Sequence, residues 1–524
     1  MAGSMHTPRS TAAIVAGSNV AWQQALWIIA GTTLLRLLLA ASVPLLPDET
    51  YYWEWSRRLA GGYFDHPPVI AWAIALGTAI FGDTPIGVRL VPILLGAVAS
   101  LAVAATARTL ASNNAARFAA ILMAAMPLSA VGFVLATPDA PLLAAVAVTL
   151  YFVVRAVDPR AARSASTLNW ILAGAAIGVA MASKFTGVFV PFAVLLALVL
   201  HKELQPQFRA PGPYLAVLVA SAVMAPVLLW NAQHEWIAFR FQLGHGLGAA
   251  TRGSWWQREL ELVGGQLLLV SPILFAAFVV AIQRALSPKG SPQRFLLAEV
   301  AFFCAAFFVY SATRKPVEAN WPALAWIPAL VLVAASRPAM RTMWERRAAW
   351  LAGAITLVLV AQVMVPWFPV PASRDPVAKA HGWKLVADSV LNIAAAEQAA
   401  DVPVHLTVNR YQDAAQLAFN IAEHPDVFAL NIGVRRNQYD LWPRVTSRAS
   451  EGHTMLFLLD ERGAPPDSLP PPVARLAPHF ASATMGALLP LQRAGETSAQ
   501  RRVWILRGWT GTWPDDPNDP LKTP

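Results

Sequence analysis

The sequence predicts a polytopic α-helical membrane protein of about eleven transmembrane helices, followed by a small C-terminal α/β domain outside the cytoplasm. Three observations carry this. Of 524 residues, 56% are hydrophobic and 13% charged, against about 25% charged in a soluble domain. Apolar stretches near the ~20 residues a helix needs to cross a bilayer recur through the first 367 positions. Beyond residue 368 the apolar runs shorten and alternate with helical patterns, as in a soluble fold. Cys304, the single cysteine, lies in an apolar run, which excludes an internal disulfide and a cysteine-based zinc site.

Residues 1–22 are small and polar and read as a cytoplasmic N-terminus. The apolar stretch 23–46 has no small-residue cleavage site after it, so it reads as a retained first span. Further spans are expected near 86–107, 114–132, 138–155, 167–183, 186–201, 214–231, 260–283, 295–312, 320–336 and 348–367. Residues 69–81 suit a helix lying at the interface. With the N-terminus inside, the inner segments hold fifteen Lys/Arg against three acids, and the outer loops nine against ten. That asymmetry obeys the positive-inside rule, so the net charge of +10 is a topology signal and not a nucleic-acid surface. An odd number of spans places 368–524 outside, in the periplasm of a Gram-negative cell, with residues 23–367 as the membrane domain. In that outer domain the runs Val402–Val408, Val427–Ile432 and Thr454–Leu459 read as strands, and 376–399 and 411–423 as helices. Residues 465–472 and the tail from Trp513 read as loop.

Chemistry-bearing residues gather in the outer loops at 47–85, 232–259 and 313–320. Asp48 and Glu49 are adjacent carboxylates at the end of a span, costly there unless they meet water, cations or a polar ligand; Asp48 could equally cap the helix that contains Glu54. Asp65-His66-Pro67-Pro68 is stiffened by its prolines, and His66 suits a phosphate, a metal or a backbone hydrogen bond. Thr137-Pro138-Asp139, Ser183-Lys184-Phe185 and Arg314-Lys315-Pro316-Val317-Glu318-Ala319-Asn320-Trp321 recur at the same face. Taken singly, Asp139 could be a helix cap, Lys184 a snorkelling lysine, and Arg314 and Lys315 lipid-headgroup contacts. Together they supply what a lipid-linked anion and a polar acceptor would require.

Pro47-Asp48-Glu49-Thr50, Tyr63-Phe64-Asp65-His66-Pro67-Pro68, Phe81-Gly82-Asp83 and Gly87-Val88-Arg89-Leu90 resemble the first outer loop of bacterial protein O-mannosyltransferase-like glycosyltransferases. The motifs at 137–139, 183–187 and 318–322 extend the resemblance over residues 20–370, and Asn409-Arg410-Tyr411-Gln412 and Arg436–Trp442 are also similar to members of the group. That family, which includes the lipid A aminoarabinose transferases, has the GT-C fold and uses polyprenyl-phosphate sugars. The resemblance implies that Asp48, with Glu49 beside it, is the general base or acceptor-orienting carboxylate. It implies donor-phosphate contacts at His66, Lys184, Arg314 and Lys315, acceptor or sugar contacts at Asp139, Glu318 and Asn320, and a divalent metal held by Asp65 and His245. His66 stands where the aminoarabinose transferases have a lysine.

The expected reaction is transfer of a sugar from a polyprenyl phosphate to lipid A, a polysaccharide or another envelope glycan at the outer face of the inner membrane. A single displacement would invert the anomeric centre. Two rivals stay open: a flippase or transporter of lipid-linked sugars, and a ligase using an undecaprenyl-pyrophosphate glycan. Arg36 and Glu299 are the only charges placed within spans, which favours chemistry at the face over passage through the membrane.

Overall fold

The computed structural model describes residues 9–247, 254–336, 343–398, 402–461 and 468–514. The chain forms two compact units, Met1–Ser42 with Leu59–Ala361, and Val43–Arg58 with Gln362–Pro524. Residues 47–58, assigned by sequence to the membrane domain's first outer loop, therefore pack with the C-terminal unit. The reason lies in helix Pro47–Ser56, whose residues 49–55 are all buried. Its aromatic side meets helix Tyr411–Asn420, with Tyr51 and Tyr411 ring centroids 4.4 Å apart and Trp53 and Phe419 5.0 Å apart.

The first unit is helical. Among the described residues seven helices are long and apolar enough to cross a membrane: Asn19–Ser42, Pro85–Leu110, Asp139–Ala156, Arg163–Ser183, Gly212–Gln233, Pro292–Arg314 and Glu345–Met364. An eighth is the pair Trp255–Val270 and Pro272–Ala285, bent by 102°. The chain is thus a multi-span membrane protein, and each of the eleven expected positions holds helix. Three of them are shorter than a span. Residues 114–132 divide into Asn113–Ala125 and Pro127–Gly132, because Pro127 has no N–H to give and starts a new helix at its first position. The other two are Phe185–Leu200, entered through a 3₁₀ turn, and Ala323–Ala334. Pro272 explains the bend in the same way, with Ser271 held at φ +81° between the two halves. Val69–Phe81 is an apolar helix of 13 residues, about 20 Å long and short of a span.

Within a membrane, backbone groups at helix ends find no water and must be satisfied by protein. Four arginines do this. Arg36 donates to the carbonyls of Ser129 and Ala130, and Arg89 to Ala40. Arg258 donates to Ala312 and Thr313, and Arg294 to Ala335. Each carbonyl lies at or next to the C-terminal end of a helix, where the macrodipole also favours a cation. Gly174 and Gly178, four apart, let helix Arg163–Ser183 approach Gly212–Gln233 closely. A Cβ on Gly174 would lie 2.4 Å from the Ala216 carbonyl oxygen.

The second unit holds a five-stranded sheet of β1 (Val404–Val408), β2 (Phe428–Ala429), β3 (Thr454–Glu461), β4 (Phe480–Arg493) and β5 (Glu496–Trp509), ordered β2-β1-β3-β5-β4. β1 runs parallel to β2 and β3, while β5 is antiparallel to β3 and β4. The register sets Phe457 against Trp504 and Met455 against Leu506, all buried with Val473 and Leu476 in one core. Helices Trp383–Gln398 and Tyr411–Asn420 match the two expected helical stretches. Sequence patterning did not anticipate the β4–β5 hairpin. Its turn is Ala494-Gly495, both at positive φ (50° and 84°), as a two-residue hairpin requires.

Candidate functional site

Three of the expected site residues converge in the membrane unit. Lys184 follows helix Arg163–Ser183 in extended backbone, so its side chain leaves the helix end instead of lying along it. The residue is 8% exposed. Its Nζ lies 2.8 Å from Asp139 Oδ1 and 5.9 Å from the centroid of the Trp321 ring, within cation–π range. Asp139 opens helix Asp139–Ala156, and its other oxygen, Oδ2, accepts from Asn320 Nδ2 at 2.7 Å. Lys184 is therefore a buried, paired cation and not a snorkelling side chain. Asp139 spends both oxygens on side chains from elsewhere in the unit.

The loop that carries Asn320 is fixed from below. Gln266 donates to the Ala319 carbonyl at 2.9 Å and accepts from Trp326 Nε1 at 2.8 Å. Arg258 holds the last turn of the preceding helix, as above. Lys315 donates from Nζ to the Gly244 carbonyl at 2.6 Å. Glu318 is exposed, and its carbonyl accepts the Trp321 N–H to close the turn. Arg314 ends helix Pro292–Arg314 and is partly exposed.

The Tyr63–Pro68 turn is as stiff as its prolines imply. The Tyr63 N–H donates to the His66 carbonyl, the Ala60 N–H to Tyr63 Oη, and Gln242 Nε2 to the Asp65 carbonyl at 2.6 Å. Asp65 is buried and His66 half-buried. His245 falls on helix Ile237–Leu247, but its side chain lies outside the described residues. Among the described residues no three His, Cys, Asp or Glu side chains come together as a metal would need.

Asp48 and Glu49 belong to the other unit and differ sharply. Glu49 is fully buried, and its Oε2 accepts the Leu46 N–H at 2.9 Å. It thereby closes the helix start, with Leu46 as the N-cap residue, Pro47 first and Glu49 third. Asp48 is exposed and does not cap the helix; its Oδ1 accepts from Gln412 Nε2 at 3.0 Å. Of the adjacent pair, one carboxylate is built into the fold and the other is presented to solvent.

Sequence reasoning missed what holds this helix. Glu54 is 2% exposed and salt-bridged to both Arg57 and Arg58, the first at 2.9 Å. Arg58 continues to Asp426, Arg57 donates to the His424 carbonyl, and Tyr51 Oη accepts the Gln438 N–H at 2.8 Å. Burial, reinforced by Glu54, pushes the Tyr439 phenol well above its ordinary value, keeping it neutral. The i, i+3 and i, i+4 spacing of Glu54 with Arg57 and Arg58 was visible in the sequence; the partners some 370 residues away were not.

Fold and site together define a polytopic membrane protein of the GT-C type carrying a small C-terminal α/β unit. Residues 65–230 match the family model of dolichyl-phosphate-mannose-protein mannosyltransferases. The chain is 27% identical over 314 residues to the lipid A galacturonosyltransferase RgtD of Rhizobium johnstonii, covering 59% of this chain and 64% of that protein. It is 31% identical over 280 residues to the undecaprenyl phosphate-alpha-4-amino-4-deoxy-L-arabinose arabinosyl transferase of Pseudomonas aeruginosa, covering 49% and 50%. The matches thus span less than two thirds of these relatives. The fold is that of ArnT from Cupriavidus metallidurans. The apo form superposes with a TM-score of 0.61 at 18% identity, covering 91% of this chain and 97% of that one. The form bound to undecaprenyl phosphate gives 0.62, covering 92% and 97%.

Proposed function

We propose that this protein is an inner-membrane glycosyltransferase that moves a sugar from a polyprenyl phosphate to a hydroxyl of lipid A or another envelope glycan, with inversion. The observation that carries the reading is the buried Lys184, joined to Asp139 and Asn320 in a fold shared with a protein that binds undecaprenyl phosphate. A buried lysine is costly unless a partner repays its desolvation, and this one sits at a helix break, where a phosphate oxygen could take over part of Asp139's role.

Displacement at the anomeric carbon sets two tasks. The leaving phosphate needs cations, which act most strongly where water is excluded; Lys184 is assigned first, with Arg314, Lys315 and His66 as further contacts. The attacking hydroxyl needs a base; Asp48, exposed and anchored through one oxygen, is assigned that role, with the buried Glu49 holding its helix. Asp139 and Asn320, with Glu318, are assigned to the sugar or acceptor. The basic inner loops support an outward, periplasmic placement of the C-terminal unit.

The test uses purified full-length protein with synthetic decaprenyl-phosphate glycosides of galacturonic acid and of 4-amino-4-deoxy-arabinose as donors and lipid A as acceptor. Transfer from at least one donor with inverted anomeric configuration, abolished in Asp48→Asn, is expected. An Asp48→Asn protein that transfers at the unmutated rate removes Asp48 as base, and retention of configuration removes the single displacement.

A further inference from the structure

The motif Asn409-Arg410-Tyr411-Gln412 has no part in the chemistry above, yet its last residue touches the proposed base. Gln412 Nε2 donates to Asp48 Oδ1 at 3.0 Å, and Gln412 Oε1 accepts from Arg410 Nη2 at 3.1 Å. Arg410 has only donors, so it fixes which end of the amide faces Asp48: the oxygen meets the cation and the NH₂ meets the carboxylate. The platform behind Gln412 is rigid. Asp413, next in the chain, is clamped by Arg501 through two bonds of 2.9 Å, and Arg501 also reaches Asp460 at 2.7 Å. That clamp ties the start of helix Tyr411–Asn420 to β5 and β3. Gln416, one turn on, donates to the Leu45 carbonyl at 2.8 Å, just before the helix that bears Asp48.

We infer that Gln412 is a positioning residue for Asp48, and that the C-terminal unit's contribution to catalysis is to orient the base through Arg410 and Gln412. This rests on the reading of Asp48 as base. The amide occupies Oδ1, leaving Oδ2 to receive the acceptor's proton.

The experiment compares unmutated protein, Gln412→Leu, Gln412→Glu and Asp48→Asn as full chains, with the synthetic donors and lipid A used above. Gln412→Leu keeps the bulk and removes the donor. Gln412→Glu keeps an acceptor for Arg410 but turns a carboxylate toward Asp48. Expected are a kcat lower by about 10-fold in Gln412→Leu and by more in Gln412→Glu, from the loss of one hydrogen bond to a charged group. Donor KM should be unchanged, so that the loss falls on kcat. Thermal midpoints within a few degrees of the unmutated protein exclude unfolding as the cause. If Asp48→Asn is inactive while both Gln412 variants keep kcat, the positioning role is wrong and the base assignment stands. A fall in kcat accompanied by a comparable rise in donor KM reduces Gln412 to a structural contact. Full activity in Asp48→Asn overturns both.

Discussion

Lys184 can be separated into its structural and chemical roles by a pair of substitutions. Its ion pair with Asp139 has side chains 11% and 16% exposed at 2.8 Å, and Asp139 keeps one further bond, from Asn320. Lys184→Met preserves length and removes the charge, leaving a buried carboxylate with a single neutral donor. Breaking a buried pair from one side costs about 3–5 kcal/mol, and the Asn320 bond argues for the lower end. Adding Asp139→Leu removes the stranded charge, so the double variant should regain most of that loss, since buried pairs replaced by apolar side chains are often neutral or better. The cycle should thus show a coupling of about 2–3 kcal/mol, read from thermal or denaturant unfolding in detergent micelles. Activity should behave differently. If Lys184 meets the donor phosphate, the double variant is as stable as the parent yet loses about 100-fold or more in kcat/KM, the scale of one preorganised charge contact. A stable double variant that transfers sugar at the parent rate would show Lys184 to be a structural ion pair only.

Two further predictions test the frame on which these groups stand. Gly174→Leu forces side-chain atoms into the Ala216 carbonyl, 2.4 Å from the position of its Cβ, and should lower the detergent melting temperature markedly, while Gly31→Leu, whose Cβ would meet nothing within 4 Å, should not. In the C-terminal unit, His405 Nε2 and His453 Nδ1 lie 2.9 Å apart, and burial first, then the neighbouring imidazole, holds His405 below its ordinary value of 6.5. The unfolded chain therefore takes up the proton first, so stability is complete above about pH 6.5 and falls as pH drops through 6.5 toward the lowered value; His405→Gln should flatten the dependence of the unfolding midpoint between pH 7.5 and 5.5.

The helices of the membrane unit were legible because lipid demands long apolar stretches and leaves little else to read. Proline explains where that reading overshot: at 127 and 272 the apolar stretch continues but the helix does not. In the C-terminal unit β1 to β3 were legible as short apolar runs, whereas β4 carries Ala481, Ala483, Gly486, Ala487 and Pro490, residues with weak strand preference, and is held by its register with β5. Among the site residues, sequence placed Lys184, Asp139 and Asn320 on one membrane face, but their meeting spans 45 and 181 positions and is a product of packing. The division between Asp48 and Glu49 was invisible for a different reason. Adjacent residues on a helix point about 100° apart, so identical chemistry at neighbouring positions receives opposite environments.

The buried arginines bear on the rival reading of the chain as a carrier of lipid-linked sugars. A carrier places charges and broken helices at mid-membrane, commonly in matched pairs from an internal repeat. Arg36 is engaged by the carbonyls of Ser129 and Ala130, and Arg89, Arg258 and Arg294 close other helix ends in the same way. Among the described residues one helix pair is sharply bent, at Ser271, and no second bent pair matches it. The membrane unit thus spends these cations on satisfying its own backbone, which fixes helix ends instead of freeing them to rock. On the proposed reading, chemistry is assigned to Lys184, held by its paired carboxylate, and to Asp48, held by Gln412. Fixed groups suit a reaction whose barrier is lowered by preorganised charge better than a cycle that must open and close around its cargo.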